Sequence, residues 1–222
     1  ERLALKAGVT LGAGSGHRYS SPGAATGGSE FGSRERLYRV NAVAVEYYQE
    51  MLARSSDAQE YVKQRDLTHA TQEKFSIGFA PDAWDGLVQH LSSKKIALSD
   101  AERAGLLSKG DRGGYYDKLR GRLIFPIFDV QMRLIAFGGR LIGEANTGQP
   151  KYWNSPETPL FSKSKALYGL WMARKAIAAM EQAIVVEGYT DVVSAHQAGF
   201  ENVVATLGTS LTEEHVRVLG RL

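Results

Sequence analysis

No cysteine occurs among the 222 residues, which excludes a disulfide framework, a thiolate-bound zinc and an iron–sulfur cluster within this chain. Long apolar runs are missing as well. Stretches such as Ala183 to Val186 fall far short of the ~20 residues that cross a bilayer as a helix, and no secretory leader is read at the start. The five histidines show no ligand spacing, so no metal is assigned to them. Ser155 and Ser162 lack the His and Asp partners of a hydrolase triad. With 43% hydrophobic and 23% charged residues, the expectation is a globular, soluble, cytoplasmic, monomeric protein without membrane contact. The length suits one large or two small cored domains.

The formal net charge of +3 hides an uneven distribution. Residues 1–108 carry 13 basic and 13 acidic groups and so balance. Residues 109–175 carry 12 basic against 5 acidic, a net of +7, and residues 176–222 carry 2 basic against 6 acidic, a net of −4. A basic middle beside an acidic end is either a solvated charged surface or a polyanion track next to a carboxylate site. Glycine is uneven too: eight of the 24 lie between Gly8 and Gly32, among Ser, Thr and Ala. Such a stretch buries too little surface to offset its ordering entropy and reads as a flexible linker, preceded by the tail of a helix at Arg2 to Gly8.

From Ser33, a plausible N-cap, Leu37, Val40, Ala44, Val45, Tyr48 and Leu52 recur at helical spacing. Further helices are expected over Asp57–Gln64, Trp84–Leu91 and Lys165–Met180, the last with Leu167, Leu170, Trp171 and Ile177 inward. Ser99 with Glu102 reads as a capping box, and Phe75–Phe79 as a short extended piece. Leu123–Phe128 and Leu134–Gly138 are β-rich runs joined as a hairpin, where Pro126 demands an edge or a bulge. Ala183–Val186, Asp191–Ala198, Val203–Thr206 and Leu211–Leu222 alternate strand, helix, strand, helix, the opening of a parallel α/β sheet. Two parallel strands do not stand alone, so the chain is expected to be cut inside a domain. The organisation expected is a linker over 1–33, an α+β basic subdomain over 34–180 and the start of an α/β parallel-sheet domain over 181–222.

Glu187-Gly188-Tyr189-Thr190-Asp191 follows a strand directly, the place where open α/β sheets bind ligands. Gly188 is read as letting the backbone turn sharply. Glu187 and Asp191 are then either reactive carboxylates or a loop acid and a helix cap.

The run Val186 to Asp191, with Gln197-Ala198-Gly199 and Ala205-Thr206-Leu207-Gly208-Thr209-Ser210-Leu211-Thr212, resembles the start of the Toprim domain of bacterial DnaG-type primases. Lys151-Tyr152-Trp153-Asn154-Ser155-Pro156-Glu157-Thr158-Pro159-Leu160-Phe161-Ser162-Lys163 is similar to that family's basic motif, and Arg120 to Ile127 with Ala136 to Arg140 to its hairpin. Ile77 to Pro81, Trp84 and Tyr61 to Arg65 stand in the matching order. The resemblance covers residues ~34–222 and implies a DNA-directed RNA polymerase that makes short RNA primers on single-stranded DNA. It implies Glu187 and Asp191 as catalytic, with Glu187 a ligand of Mg²⁺ or Mn²⁺. It implies Arg65, Arg122, Arg140, Lys151, Tyr152, Asn154, Ser155, Lys163, Gly188 and Tyr189 as nucleotide- or DNA-binding. It implies partners in the template, ribonucleoside triphosphates and the primer–template hybrid, and, through regions outside this chain, the replicative helicase and single-strand-binding protein. The resemblance implies zinc only in an upstream domain, and the Asp-x-Asp pair that the Toprim pattern needs is not among these residues. Met132 and Ala136 stand where the family hairpin carries glycine, which puts the turn geometry in question. Alternatives are another Toprim enzyme (a topoisomerase, nuclease or phage primase-helicase) or a non-catalytic module binding single-stranded nucleic acid.

Overall fold

The structure, a computed structural model, describes residues 26–111, 113–143 and 150–222, with side chains from residue 32 onward. The helix tail expected at Arg2 to Gly8 and most of the glycine-rich stretch lie outside the described residues. The first described helix, α1 (Thr26–Arg54), starts seven residues ahead of the Ser33 expected as its N-cap. Ser33 is inside it, and its hydroxyl accepts a hydrogen bond from Arg103 at 2.7 Å. The expected stripe is present: Leu37, Val40, Ala44, Tyr48 and Leu52 are buried, with Val45 half-buried at the edge.

Helix α1 lies against a four-stranded antiparallel sheet of order β1 (Gly78–Ala80), β4 (Arg122–Phe128), β5 (Leu134–Leu141), β6 (Tyr152–Asn154). The fit is close. A Cβ at Gly78 would sit 2.6 Å from Cβ of Tyr48, so only glycine lets β1 approach the helix. Strand β4 lies between β1 and β5, yet β1 pairs only with Arg122, Leu123 and Ile124. Pro126 therefore falls where β4 has a partner on one side only, and the register with β5 shifts just beyond it, between Ile127 and Phe128. The edge-strand expectation is corrected, since β4 is interior to the sheet; Pro126 is tolerated because it stands past the β1 ladder, where no second partner needs its N–H, and the irregularity expected near it lies one residue on. At the hairpin tip Met132 takes the left-handed φ of 66° that favours glycine. Asp129 holds that turn by accepting from the N–H groups of Gln131 and Arg133, both at 2.9 Å.

Short helices α2 (Ser56–Lys63) and α3 (His69–Lys74) follow α1, capped by Ser55 and Thr68. Helices α4 (Gly86–Ser93) and α5 (Leu98–Arg103) precede a small hairpin of β2 (Leu107–Lys109) and β3 (Tyr115–Asp117). The capping box expected at Ser99 does not form: Ala97 occupies the N-cap position and no side chain caps that end. The β2–β3 hairpin and α3, each too short for a periodic signal, were not expected. Asp117 explains much of this region. It is buried, and its carboxylate caps α4 from a distance by accepting from Leu87 N–H (2.7 Å) and Val88 N–H (3.1 Å).

The last segment contains α6 (Leu170–Met180), β7 (Ile184–Val186), α7 (Tyr189–Gln197), β8 (Val203–Ala205) and α8 (Glu213–Leu219). Strands β7 and β8 pair in parallel, giving the α/β opening expected. Helix α6 begins at Leu170 rather than Lys165, because Tyr168 exchanges both backbone hydrogen bonds with Ala205 and Gly169 turns the chain at φ 79°. Trp171 is half-buried with Arg174 stacked 3.6 Å from its ring centroid, rather than in the core. Tyr168, Tyr189, Val192, Val193, Val203 and Leu207 join the same apolar cluster as α1 and the antiparallel sheet. The two parts thus share a core. No helix among the described residues is long and apolar enough to cross a membrane.

Candidate nucleic-acid interface and carboxylate loop

Strand β6, itself uncharged, lies between two groups of cations, and Arg122 anchors the approach to it. This arginine is buried, and its guanidinium donates to the carbonyls of Pro150 (2.9 Å) and Lys151 (3.4 Å), so the strand start is fixed. Burial, with the charge of Arg120 nearby, pulls its pKa below the usual arginine value. Arg140, on β5 opposite Tyr152, is also buried; it donates to the Tyr152 hydroxyl and lies 5.2 Å from that ring's centroid. Tyr61 lies under both Arg65 and Arg140, at 5.1 and 5.9 Å. These residues and Lys151 line a recess of about 300 Å³. The ammonium of Lys151 has no partner among the described residues.

A second recess, about 440 Å³, is lined by Lys118, Arg120, Asn154, Lys163, Tyr116 and Trp153, among others. Arg120 stacks 3.9 Å from the ring centroid of Trp84, which is 66% exposed, and donates to the Asp117 carbonyl. Lys118, Arg120, Tyr116 and Trp84 were not among the expected site residues. The Lys118-Leu119-Arg120 alternation, with Leu119 buried, was the available signal for the two cations. No local pattern pairs Trp84 with a residue 36 positions later; that contact is made by the Asp117 N–H bond to the Trp84 carbonyl at 2.8 Å.

The acidic loop leaves the C-terminal end of β7. Glu187 and Asp191 are both exposed and have no partner among the described residues. Gly188 has φ −130° and ψ 158°, extended backbone that any residue adopts. The sharp turn read from the sequence is therefore corrected: no left-handed backbone calls for glycine here. A Cβ at 188 would lie 2.9 Å from Oδ2 of Asp191, an exposed carboxylate that would swing aside.

Tyr189, two residues from each acid, is buried. Its ring stacks on Phe125 at 5.1 Å with 8° between planes and meets Tyr168 edge-on at 4.7 Å. Burial drives its hydroxyl pKa well above the ordinary tyrosine value. That hydroxyl donates to Oδ1 of Asn154, whose amide N–H donates to the Leu207 carbonyl at 2.7 Å. Asn154 thus ties β6 to the segment that follows Glu187 and to the loop after β8. Ser155 is fully buried, its hydroxyl accepting from Phe137 N–H (3.1 Å) and paired with the Phe137 carbonyl (3.2 Å). Of the expected site residues, Lys151, Tyr152, Lys163 and Arg65 reach the surface, with Glu187 and Asp191 on their own loop. Arg122, Arg140, Asn154, Ser155 and Tyr189 hold that surface from beneath.

Glu187 and Asp191 offer hard oxygen donors, which suit Mg²⁺ or Mn²⁺ in kind. Among the described residues no group of three or more His, Cys, Asp or Glu gathers to complete such a site. Two carboxylates free of partners fit part of a divalent-cation shell.

A basic recess beside β6, whose Asn154 is bonded to an acidic loop at the end of a parallel strand, defines an α+β module joined to the opening of a carboxylate-bearing α/β domain. Family models agree: the N-terminal domain of the DNA primase catalytic core matches residues 47–174, and the Toprim domain matches residues 181–221. The DNA primase of Synechococcus elongatus is 48% identical over 194 residues, covering 85% of this chain and 27% of that protein. That of Geobacillus stearothermophilus is 40% identical over 222 residues, covering 99% of this chain and 36% of its own length. A similar solved structure is the RNA polymerase domain of Mycobacterium tuberculosis primase DnaG in complex with a double-stranded DNA oligomer with a 6-nucleotide overhang. It has a TM-score of 0.80 and 39% identity, over 86% of this chain and 60% of that one. The chain belongs to the DNA primase catalytic core family. It spans about a third or less of the curated relatives it matches.

Proposed function

We propose that this chain is the template- and nucleotide-holding part of a DNA-directed RNA polymerase that makes short RNA primers on single-stranded DNA. The observation carrying the reading is the double hydrogen bond of Asn154, to the Tyr189 hydroxyl and the Leu207 carbonyl, which sets β6 and the cations flanking it against the Glu187 loop. Lys151, Lys163, Lys118 and Arg120 take phosphates, and Tyr152 and Trp84 offer ring faces to bases or ribose. Arg65 extends the track over Tyr61. Glu187, with Asp191 beside it, would hold Mg²⁺ or Mn²⁺; when bound, such an ion neutralises charge on the triphosphate during nucleotidyl transfer. The residues of this chain contribute orientation and phosphate neutralisation. Ribonucleoside triphosphates and the primer–template hybrid are the remaining ligands, whereas zinc, the replicative helicase and single-strand-binding protein engage other regions of a longer bacterial, cytoplasmic protein.

By itself the chain is read as a binding module, because among the described residues Glu187 and Asp191 are joined by no third metal-ligating group. Labelled oligo-dT titrated between about 50 and 200 mM salt should bind progressively more weakly, with a log–log slope near −0.7 per phosphate neutralised. Binding indifferent to salt would refute a phosphate track. For synthesis, the chain should replace the equivalent stretch of the Geobacillus stearothermophilus relative and support metal-dependent primer formation on a single-stranded template. Glu187→Gln in that chimaera should reduce primer yield at least ~100-fold, as expected for loss of a group acting on the developing charge. Unchanged synthesis would remove Glu187 from the chemistry.

A further inference from the structure

Lys163 is a cation whose main chain is fixed at both polar groups. Its N–H donates to Oε1 of Glu157 at 2.8 Å. Its carbonyl faces Nε2 of His215 at 3.0 Å, across 52 positions of sequence. His215 is 0% exposed, in the first turn of α8. Its Nδ1 accepts from Thr212 N–H at 3.2 Å. With Nδ1 an acceptor, the ring proton sits on Nε2 and the imidazole donates to the Lys163 carbonyl. Thr212 accepts from His215 N–H at 3.1 Å, and its hydroxyl donates to the next carbonyl, that of Ser164, at 2.7 Å. Two consecutive carbonyls of the Lys163 loop are thus gripped by one turn of a distant helix. The ammonium of Lys163 has no partner among the described residues and lines the recess with Lys118 and Arg120.

We propose that His215 is a positioning residue that aims Lys163 into the basic recess. The inference rests on the reading of that recess as a phosphate-binding surface. Fixing the backbone at Lys163 fixes the Cα–Cβ direction, so less ordering remains to be done when the ammonium meets a phosphate. A neutral imidazole does this with little play, because one rigid ring joins the N–H of Thr212 to the carbonyl of Lys163.

The test is a double-mutant cycle on the 222-residue chain, read as the affinity and salt slope for labelled oligo-dT. Lys163→Ala should weaken binding about 3- to 10-fold and reduce the slope by about 0.7, the signature of one lost phosphate contact. His215→Ala should weaken binding about 2- to 5-fold when Lys163 is present and leave it unchanged when residue 163 is alanine. His215→Gln, which retains a donor and an acceptor, should restore most of the loss. Should His215→Ala lose its cooperative melting transition, Thr212→Val takes its place in the cycle with the same non-additive outcome. An equal loss in both Lys163 backgrounds, or none in either, overturns the positioning role. Absence of salt-dependent binding by the unaltered chain would instead overturn the reading of the recess.

Discussion

Gly138→Ala is the smallest change that tests the joint between the antiparallel sheet and the acidic loop. A Cβ at this position would lie 2.2 Å from Cζ, 2.3 Å from the hydroxyl oxygen and 2.7 Å from Cε2 of Tyr189. Ordinary van der Waals contact needs more than an additional ångström. The ring has nowhere to withdraw: Phe125 is stacked on it, Tyr168 closes on it edge-on, and its hydroxyl is bonded to Asn154. Overpacking of this kind costs about 1–3 kcal/mol, and the confinement on three sides puts the expectation near the upper end. In urea, with a slope of about 2 kcal/mol per molar, the midpoint should fall by about 1–1.5 M without a change in slope. Oligo-dT affinity should fall with it, because Tyr189 cannot move without releasing Asn154.

The decisive control is Tyr189→Leu, which empties the contested space. In that background Gly138→Ala should be neutral or stabilising by about 0.5–1 kcal/mol, the usual preference for alanine over glycine inside a strand. The same substitution thus changes sign with the presence of one ring. A cost under about 1 kcal/mol with Tyr189 present, or an identical cost in both backgrounds, would refute the close approach as the reason for glycine.

Two buried groups should give opposite pH dependences, each readable as the difference between the unaltered chain and a variant. Burial raises the Asp117 carboxyl to about 6, against the lowering effect of its two backbone N–H bonds. Its folded form therefore binds a proton more tightly than the unfolded chain, and its contribution to stability falls as pH rises from about 4 to 6, on the order of 2–3 kcal/mol. Asp117→Asn should abolish that slope in urea melts. His196, buried against Phe75 with Nε2 at 2.9 Å from the Val203 carbonyl, has its pKa lowered by burial. Its neutral form is the folded one, so stability is full above about 6.5 and falls as pH drops below it. His196→Leu should flatten that limb, and a pH profile unaltered by the change would count against burial as the cause. Ser155→Ala should cost about 1–2 kcal/mol by leaving Phe137 N–H without its side-chain acceptor. If Ser155 contacted nucleotide instead, binding would fall with stability intact.

What was legible in the sequence was local or repetitive. The α1 stripe from Leu37 to Leu52 survives because helical spacing alone places those residues on one face. The β4–β5 hairpin and the β7–α7–β8 unit were readable from their apolar runs, and the charge split located the basic segment. The start of α1 was misread because glycine-rich composition speaks against a helix, yet Gly27, Gly28 and Gly32 lie inside one. Ser99 and Glu102 had the spacing of a capping box, but the helix begins a residue earlier and the pattern has nothing to cap. Helix α6 was extended too far because Leu167 and Tyr168 fit its periodicity, whereas Tyr168 commits its backbone to Ala205.

The site divides in the same way. Residue type and order determined which groups could bind phosphate or a divalent cation, because a charge belongs to its side chain wherever the chain places it. Which of those groups face solvent was decided only by tertiary packing. Arg122 and Arg140 carry the same charge as Lys151, yet these hairpin arginines are buried and bonded from beneath. Gly138 is required by the ring of Tyr189, which approaches from elsewhere in the chain. Asn154, Tyr189 and His215 act across 35 to 53 positions of sequence, and a hydrogen bond over that separation exists only once the shared core has brought its two ends together.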